Sequence, residues 1–432
     1  MIFRFINSLE KHAVPILLAS VILPRILWFF YLGGALPQPV RDQALYIHVA
    51  GRMAEGYGFS FSEAIGTLKN LRNDSEGAQR AWTADPDYLF GLAPVEEPTA
   101  VMEPGYPFLL SLMFRLLGPV TGAVFLLNLI FAAAGAFAVM KLVSDSWGRV
   151  KGTMAGVLWA LYPPYIYFSG HAMTETAHSA LLMVTALLVL SAGRGKGNGF
   201  TAGAATGLFF LVRATALFLL PLEMAWLAWQ RRWKSLLFII LGFAAAVSPW
   251  VVRNYVELGS PVLMPTKGSL NLWMRNNPDV LDIEGIHVPE DIPVNSPELL
   301  EYPAMDSLPG ELDRSAVLSR ASRSFIVANP RLMLWLGWHR AVHFLGPGGD
   351  TLGTRGMLAG LIIYPLMVFG LVGFWRNRFS PETVFLISVF ILYLLIHAAA
   401  HGGARYRLPV DSVFLIGTAL GVCCGRSGTC RI

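Results

Sequence analysis

Apolar residues fall along this chain in runs long enough to cross a bilayer, with short basic turns and long polar stretches between them. The runs extend from about Ala13 to Leu36, Pro119 to Val143, Gly152 to Phe168, Thr174 to Ala192 and Phe200 to Val212. They continue from Ala214 to Trp229, Ser235 to Val252, Gly356 to Phe374, Thr383 to His397 and Leu408 to Cys424. A helix of roughly 20 apolar residues spans the hydrocarbon of a bilayer with every backbone group satisfied internally. The pattern therefore predicts an all-α polytopic membrane protein of about ten transmembrane helices, two pairs of them short or broken. The first run is too long for a cleaved signal peptide and no small-x-small site follows it, so it reads as a retained anchor.

The short turns give the sides. With the N-terminus inside, the inner turns hold Arg4 and Lys11, Arg149 and Lys151, Arg194 and Lys196, Arg231, Arg232 and Lys234, Arg376 and Arg378, then Arg426 and Arg431. Only Glu10, Asp145 and Glu382 accompany them. This is the positive-inside distribution. Two long stretches, about 37–118 and 253–353, remain for the outer face. Each holds an apolar segment too short to span, Tyr106 to Leu117 and Pro330 to Leu345, which reads as a helix at the membrane surface with Trp335 and Trp338 at headgroup depth. The whole chain, 1–432, reads as one membrane-embedded domain.

Composition agrees. Of 432 residues, 54% are hydrophobic and 14% charged, about half the charged fraction of soluble domains. The three cysteines, Cys423, Cys424 and Cys430, all lie in the last ten residues and staple nothing large. They read as part of an idle inner tail rather than as acylation sites. The net charge of +5 is a topology signal, which removes the main support for a nucleic-acid partner.

The candidate chemistry gathers at the outer ends of the spans. Asp42 lies just beyond the first span, where a carboxylate can take a proton from a hydroxyl arriving from outside; the bland alternative is a helix N-cap. Glu175, after Tyr162-Pro163-Pro164-Tyr165, opens the fourth span at the same face. An acid there is favoured by the helix dipole alone, or forms with Asp42 a carboxylate pair serving as base and orienter or sharing a metal. Arg253, Asn254, Lys267, Arg405 and Arg407 sit at the same level. Several arginines at an outer face suit a lipid-linked phosphate or pyrophosphate, against the bland reading of snorkelling to headgroups. Arg25 reads as structural, and Arg213 is left open. His339 with His343, His397 with His401, and His171 with Glu175 are i, i+4 pairs without the Glu of a His-Glu-x-x-His motif, so no metal ligand set is assigned.

Taken in order, Asp42 with Tyr46 and Gly56, Pro104-Gly105-Tyr106-Pro107, Asn128, Tyr162-Pro163, Thr174-Glu175, and Gly207 with Leu211 and Arg213 form a series. Pro249-Trp250 with Arg253-Asn254, Asn271-Leu272-Trp273 with Asn276-Asn277-Pro278, and Arg405-Tyr406-Arg407-Leu408-Pro409 continue it. The series resembles the C-type (GT-C) membrane glycosyltransferases that use polyprenyl-phosphate sugars. The nearest likeness is to the bacterial branch akin to protein O-mannosyltransferases and the lipid A aminoarabinose transferase. The resemblance implies inverting sugar transfer at the outer face of the cytoplasmic membrane, to a lipid, glycan or protein acceptor, with Asp42 activating the acceptor hydroxyl. The reading of the residues themselves adds Glu175 as its companion, Arg405, Arg407, Arg253 and Lys267 on the donor phosphate, and a cavity lined by Tyr106, Glu103, Asn254 and Asn271. No cofactor is required on this reading, and a divalent cation is left open. Two features depart from the family: an expanded first loop between Ser60 and Glu103, and the acid Glu103 itself. The rival reading is a transporter or flippase of lipid-linked saccharides, for which midplane polar residues and internal repeats would be expected.

Overall fold

The computed structural model describes residues 12–34, 36, 42–61, 97–278, 288–289, 292–295, 310–347 and 349–422. Arg4, Glu10, Lys11, Arg426, Arg431, the three cysteines and most of the expanded first loop lie outside the described residues. Within them the protein is helical, with one isolated bridge between Ser60 and Pro98. The helices are α1 (Ala13–Tyr31), α2 (Asp42–Glu55), α3 (Gly105–Leu117), α4 (Thr121–Trp147), α5 (Arg149–Leu161) and α6 (Pro163–Ser169). Then come α7 (Glu175–Gly193), α8 (Gly199–Val212), α9 (Leu219–Trp229), α10 (Trp233–Leu258) and α11 (Lys267–Arg275). The last five are α12 (Glu311–Ala328), α13 (Pro330–Leu345), α14 (Gly349–Arg376), α15 (Pro381–Ala400) and α16 (Ala404–Val422).

Each apolar run read from the sequence is helical over most of its described residues. Among the described residues five helices, α1, α4, α7, α10 and α15, are long and apolar enough to cross a membrane; the segments 105–117, 199–212, 214–229 and 361–376 are shorter apolar helices. The run 152–168 is two helices rather than one, because Pro163 and Pro164 lack the N–H groups a continuous helix needs. Pro164 stands where the donor to the Ala160 carbonyl would be, and Arg25 replaces it: its Nη1 donates to Ala160 O at 2.9 Å and to Val21 O at 3.0 Å. This fully buried arginine is thus a splice for the broken helix, a structural part as the sequence suggested.

The other short pair breaks at Arg213, whose extended backbone (φ −151, ψ 113) separates α8 from a 3₁₀ turn, Ala214–Phe218, that leads into α9. Gly199, Gly203 and Gly207 recur every fourth residue and form one face of α8, laid directly on α10. A Cβ at Gly203 would fall 1.9 Å from Ile239 O, and one at Gly242 on the facing helix 2.1 Å from Phe200 O. Small residues let membrane helices approach to backbone contact, where dispersion replaces the missing hydrophobic drive.

After the bridge at Pro98 the chain runs to Pro104 and enters α3 at Gly105. A side chain there would meet Leu211 O at 2.7 Å, so the Pro-Gly-Tyr-Pro turn presses against the end of α8. The helix α13 buries Leu332, Leu336, Arg340 and Phe344 and leaves Leu334 and Trp338 exposed.

Candidate functional site

Four helices begin around one charged cluster: α2 with Asp42, α7 with Glu175, α11 with Lys267 and α16 with Arg405 as its second residue. Acids at helix N-termini are favoured by the dipole, whereas cations there are opposed by it. Lys267 and Arg405 therefore hold their places through the carboxylates they meet. Lys267 Nζ donates to Asp42 Oδ1 at 2.6 Å, Arg405 Nη2 lies 3.6 Å from Asp42 Oδ2, and Arg405 Nε donates to Glu175 Oε1. Arg405 is thus shared between two acids from two helices. Three of the four side chains are part-exposed: 27% for Asp42, 21% for Arg405 and 15% for Lys267, against 7% for Glu175. Glu175 Oε2 is buried without a hydrogen-bond partner.

Burial pushes the Asp42 carboxyl up, but the opposing charges of Lys267, Arg405 and Arg213 outweigh it and hold it well below the usual carboxylate range. The same residue drives Tyr46, one helical turn on, upward: burial first, then the Asp42 charge, keep its phenol protonated.

Arg213, left open by the sequence, joins this cluster. It donates to Thr174 Oγ1 at 3.2 Å and lies 5.9 Å from the ring centroid of Tyr406. The break after α8 explains the placement, since an interrupted helix aims the side chain across its own end. Glu103 accepts the Ala214 N–H at 3.0 Å and so caps the turn that follows Arg213. Tyr106 stacks edge-on to Tyr46 (5.5 Å between centroids) and donates to Asn128 Oδ1 at 3.4 Å. Asn128 in turn donates to Ser169 O and His171 O, at 3.1 and 2.7 Å. Tyr106 and Asn128 are fully buried, and through them α3 is tied to the 169–171 turn that precedes Glu175.

Three other residues assigned to the site, Arg407, Arg253 and Asn254, make their bonds elsewhere. Arg407 is not beside Arg405: the chain is already helical at residue 404, and two helical residues apart means about 200° around the axis. Its Nε donates to Asp411 Oδ1 at 2.8 Å and its Nη1 to Gly346 O and Phe344 O, at 2.7 and 3.1 Å. Asp411 also accepts from Tyr162 Oη at 2.8 Å. Arg253 grips the chain on both sides of the Ser60–Pro98 bridge, donating to Thr99 O at 2.7 Å and Phe59 O at 2.9 Å, and lies 5.1 Å from the ring of Trp250. Asn254 ties the turn after α10 through Val262 O at 2.8 Å. Asn271 is exposed on α11, one helical turn after Lys267 and on the same side of that helix. Glu311, unmarked in the sequence, is a buried acid among the outer segments.

No group of three or more His, Cys, Asp or Glu placed to hold a metal ion occurs among the described residues. The histidine pairs make other contacts: His171 Nδ1 is 3.0 Å from Tyr167 O and His397 Nδ1 is 3.2 Å from His401 O. The rings of His339 and His343 lie 4.5 Å apart. Burial, then the charges of Arg275, His397, Arg340 and Arg405, push His401 down to about 3, so it stays neutral beside the cluster.

Residues 97–252 match the family model described as dolichyl-phosphate-mannose-protein mannosyltransferase. That stretch contains Glu103, Tyr106, Asn128, Glu175 and Arg213; Asp42, Lys267 and Arg405 lie outside it. The fold matches the oligosaccharyltransferase of Archaeoglobus fulgidus tethered to an acceptor peptide containing the NVT sequon, with a TM-score of 0.50 at 14% identity over 97% of this chain. This is a GT-C fold. The apo form of the same archaeal enzyme aligns with a TM-score of 0.47 at 13% identity over 96% of this chain. The chain spans about half the length of these solved structures, 50% and 49%. No curated protein matches it by sequence. The expected polytopic all-α fold and its GT-C likeness are therefore present, and residues 97–252 are similar to a family of mannosyltransferases.

Proposed function

We propose that this protein transfers a sugar from a polyprenyl-phosphate carrier to an acceptor hydroxyl, with inversion, at the outer face of the cytoplasmic membrane. The observation that carries this reading is the chain Lys267–Asp42–Arg405–Glu175, assembled from four helix N-termini and open to solvent on part of its surface. In the transfer step the acceptor oxygen attacks the anomeric carbon and the bond from that carbon to the phosphate oxygen breaks. The acceptor proton passes to Asp42, and the polyprenyl phosphate leaves as an anion stabilised by Arg405 and Lys267, cations already in place. In the free protein those two cations hold Asp42 deprotonated and weakly basic. A donor phosphate competes for both, and the carboxylate gains basicity as they are shared. Arg213 extends the positive surface, and Glu175 fixes the guanidinium of Arg405.

The transporter reading would centre polar groups between helix ends. The cluster instead opens four helices and presents an acid beside two cations, a set suited to making and breaking a bond. Reconstitution into proteoliposomes with a radiolabelled lipid-linked sugar separates the two. Transfer of label to a water-soluble or lipid acceptor, with release of carrier phosphate, is expected. Movement of intact lipid-linked sugar across the bilayer without release would replace this reading with the transporter.

A further inference from the structure

One buried acid stands outside the transfer cluster and joins both outer segments. Glu311 is the first residue of α12 and 5% exposed. An acid at that position ordinarily serves its own helix dipole, yet its bonds go to other parts of the chain. Thr99 donates its hydroxyl to Oε2 at 2.7 Å, the Ala100 N–H donates to Oε1 at 3.1 Å, and the Thr266 hydroxyl donates to Oε1. The direction of the Thr99 bond is set by a second contact: Val101 N–H donates to the same hydroxyl oxygen at 3.0 Å, which leaves its proton for Glu311. Three donors thus converge on the two oxygens. That suits a carboxylate, and a primary amide, which must donate from one end, does not reproduce it.

The segments clamped in this way are joined by their backbones as well. Thr266 N–H donates to Ala100 O at 3.0 Å and Lys267 N–H to Val101 O at 3.1 Å. Arg253 holds the other side of the same strand through Thr99 O. Lys267 follows Thr266 directly, and its ammonium ends 2.6 Å from Asp42. A slip of Thr266 along the 99–101 segment moves the base of the Lys267 side chain with it. Displacements near 1 Å at a reacting group cost on the order of 10²-fold in rate.

We propose that Glu311 is a positioning residue: by clamping Thr99 and Ala100 to Thr266, it sets Lys267 in register against Asp42. This rests on the reading of Asp42 and Lys267 as parts of the transfer site. The test is a double-mutant cycle in the full-length protein, with Glu311→Gln, Lys267→Met and the two combined, read in transfer rate and in thermal unfolding. Coupled residues are non-additive where independent ones add. Glu311→Gln alone is expected to lower transfer at least about tenfold. In the Lys267→Met background the same change should lower it less than about twofold, because nothing is left to position. Equal losses in both backgrounds would overturn the proposal and leave Glu311 as a fold residue. Should Glu311→Gln not fold, Thr266→Val removes one arm of the clamp and enters the same cycle with the same two outcomes. Should the unmodified protein transfer no sugar, the function proposed above fails on its own. The unfolding cycle then decides the clamp, with non-additive melting shifts supporting it and additive shifts refuting it.

Discussion

Arg405 and Arg407 lie two residues apart at the start of α16, and their surroundings differ in burial, in partners and in what a ligand could reach. Arg407 is 3% exposed and Asp411 fully buried, and the guanidinium is further tied to two backbone carbonyls while Tyr162 donates to the acid. Such a pair is saturated: removing either charge strands the other away from water. Arg405 keeps 21% of its side chain exposed and divides itself between Asp42 and Glu175, acids contributed by different helices. A divided, part-solvated cation can exchange one partner for an incoming anion at little loss. On the proposed function, two arginines that look equivalent in the motif serve as a fixed joint and an exchangeable contact, and the helix period separates them.

The comparison breaks most visibly at the joint. Arg407→Met should lower unfolding stability by about 3–5 kcal/mol, measured by denaturation in detergent, and the added change Asp411→Leu should recover most of it. A stable Arg407→Met protein with weakened donor dependence would return Arg407 to the donor site. At the exchangeable contact the reverse is expected: Arg405→Gln should fold normally and raise the donor concentration needed for half-maximal transfer by about one to two orders of magnitude. A folded variant with an unchanged donor requirement would assign Arg405 to the scaffold.

A finer effect concerns pH. The Asp42 carboxyl is held low by Lys267 and Arg405, so the stability it contributes is present above the ordinary carboxylate range and is lost only as pH falls through its depressed value. Removing one of those charges lets the carboxyl rise. The acid limb of the transfer profile in Lys267→Met should therefore move to higher pH than in the unmodified protein, and an unmoved limb would mean that another group sets it.

The helices were legible because apolar length and basic turns are properties of single segments. Asp42, Glu175 and Arg405 could be singled out because each opens or adjoins an apolar segment at the expected outer side, and Lys267 because it lies in the large loop; that the four meet in one chain of contacts is a finding of the structure. Arg407 was misplaced because the sequence does not mark where the last helix begins, and its side chain follows from that register. Glu311 went unnoticed since its meaning lies in Thr99, Ala100 and Thr266, more than forty and more than two hundred residues away. The period-four glycines of α8 were a signal available in the sequence; their partner helix was not.

The account stands most directly on Asp42. Asparagine matches aspartate in size and as a helix cap but cannot take a proton from the acceptor. Single-turnover transfer by Asp42→Asn, with saturating lipid-linked donor in proteoliposomes, should fall by about 10²–10⁴-fold while the protein melts as a folded species. Transfer within about threefold of the unmodified protein would contradict the base assignment, for an effect so small is below what general-base catalysis contributes.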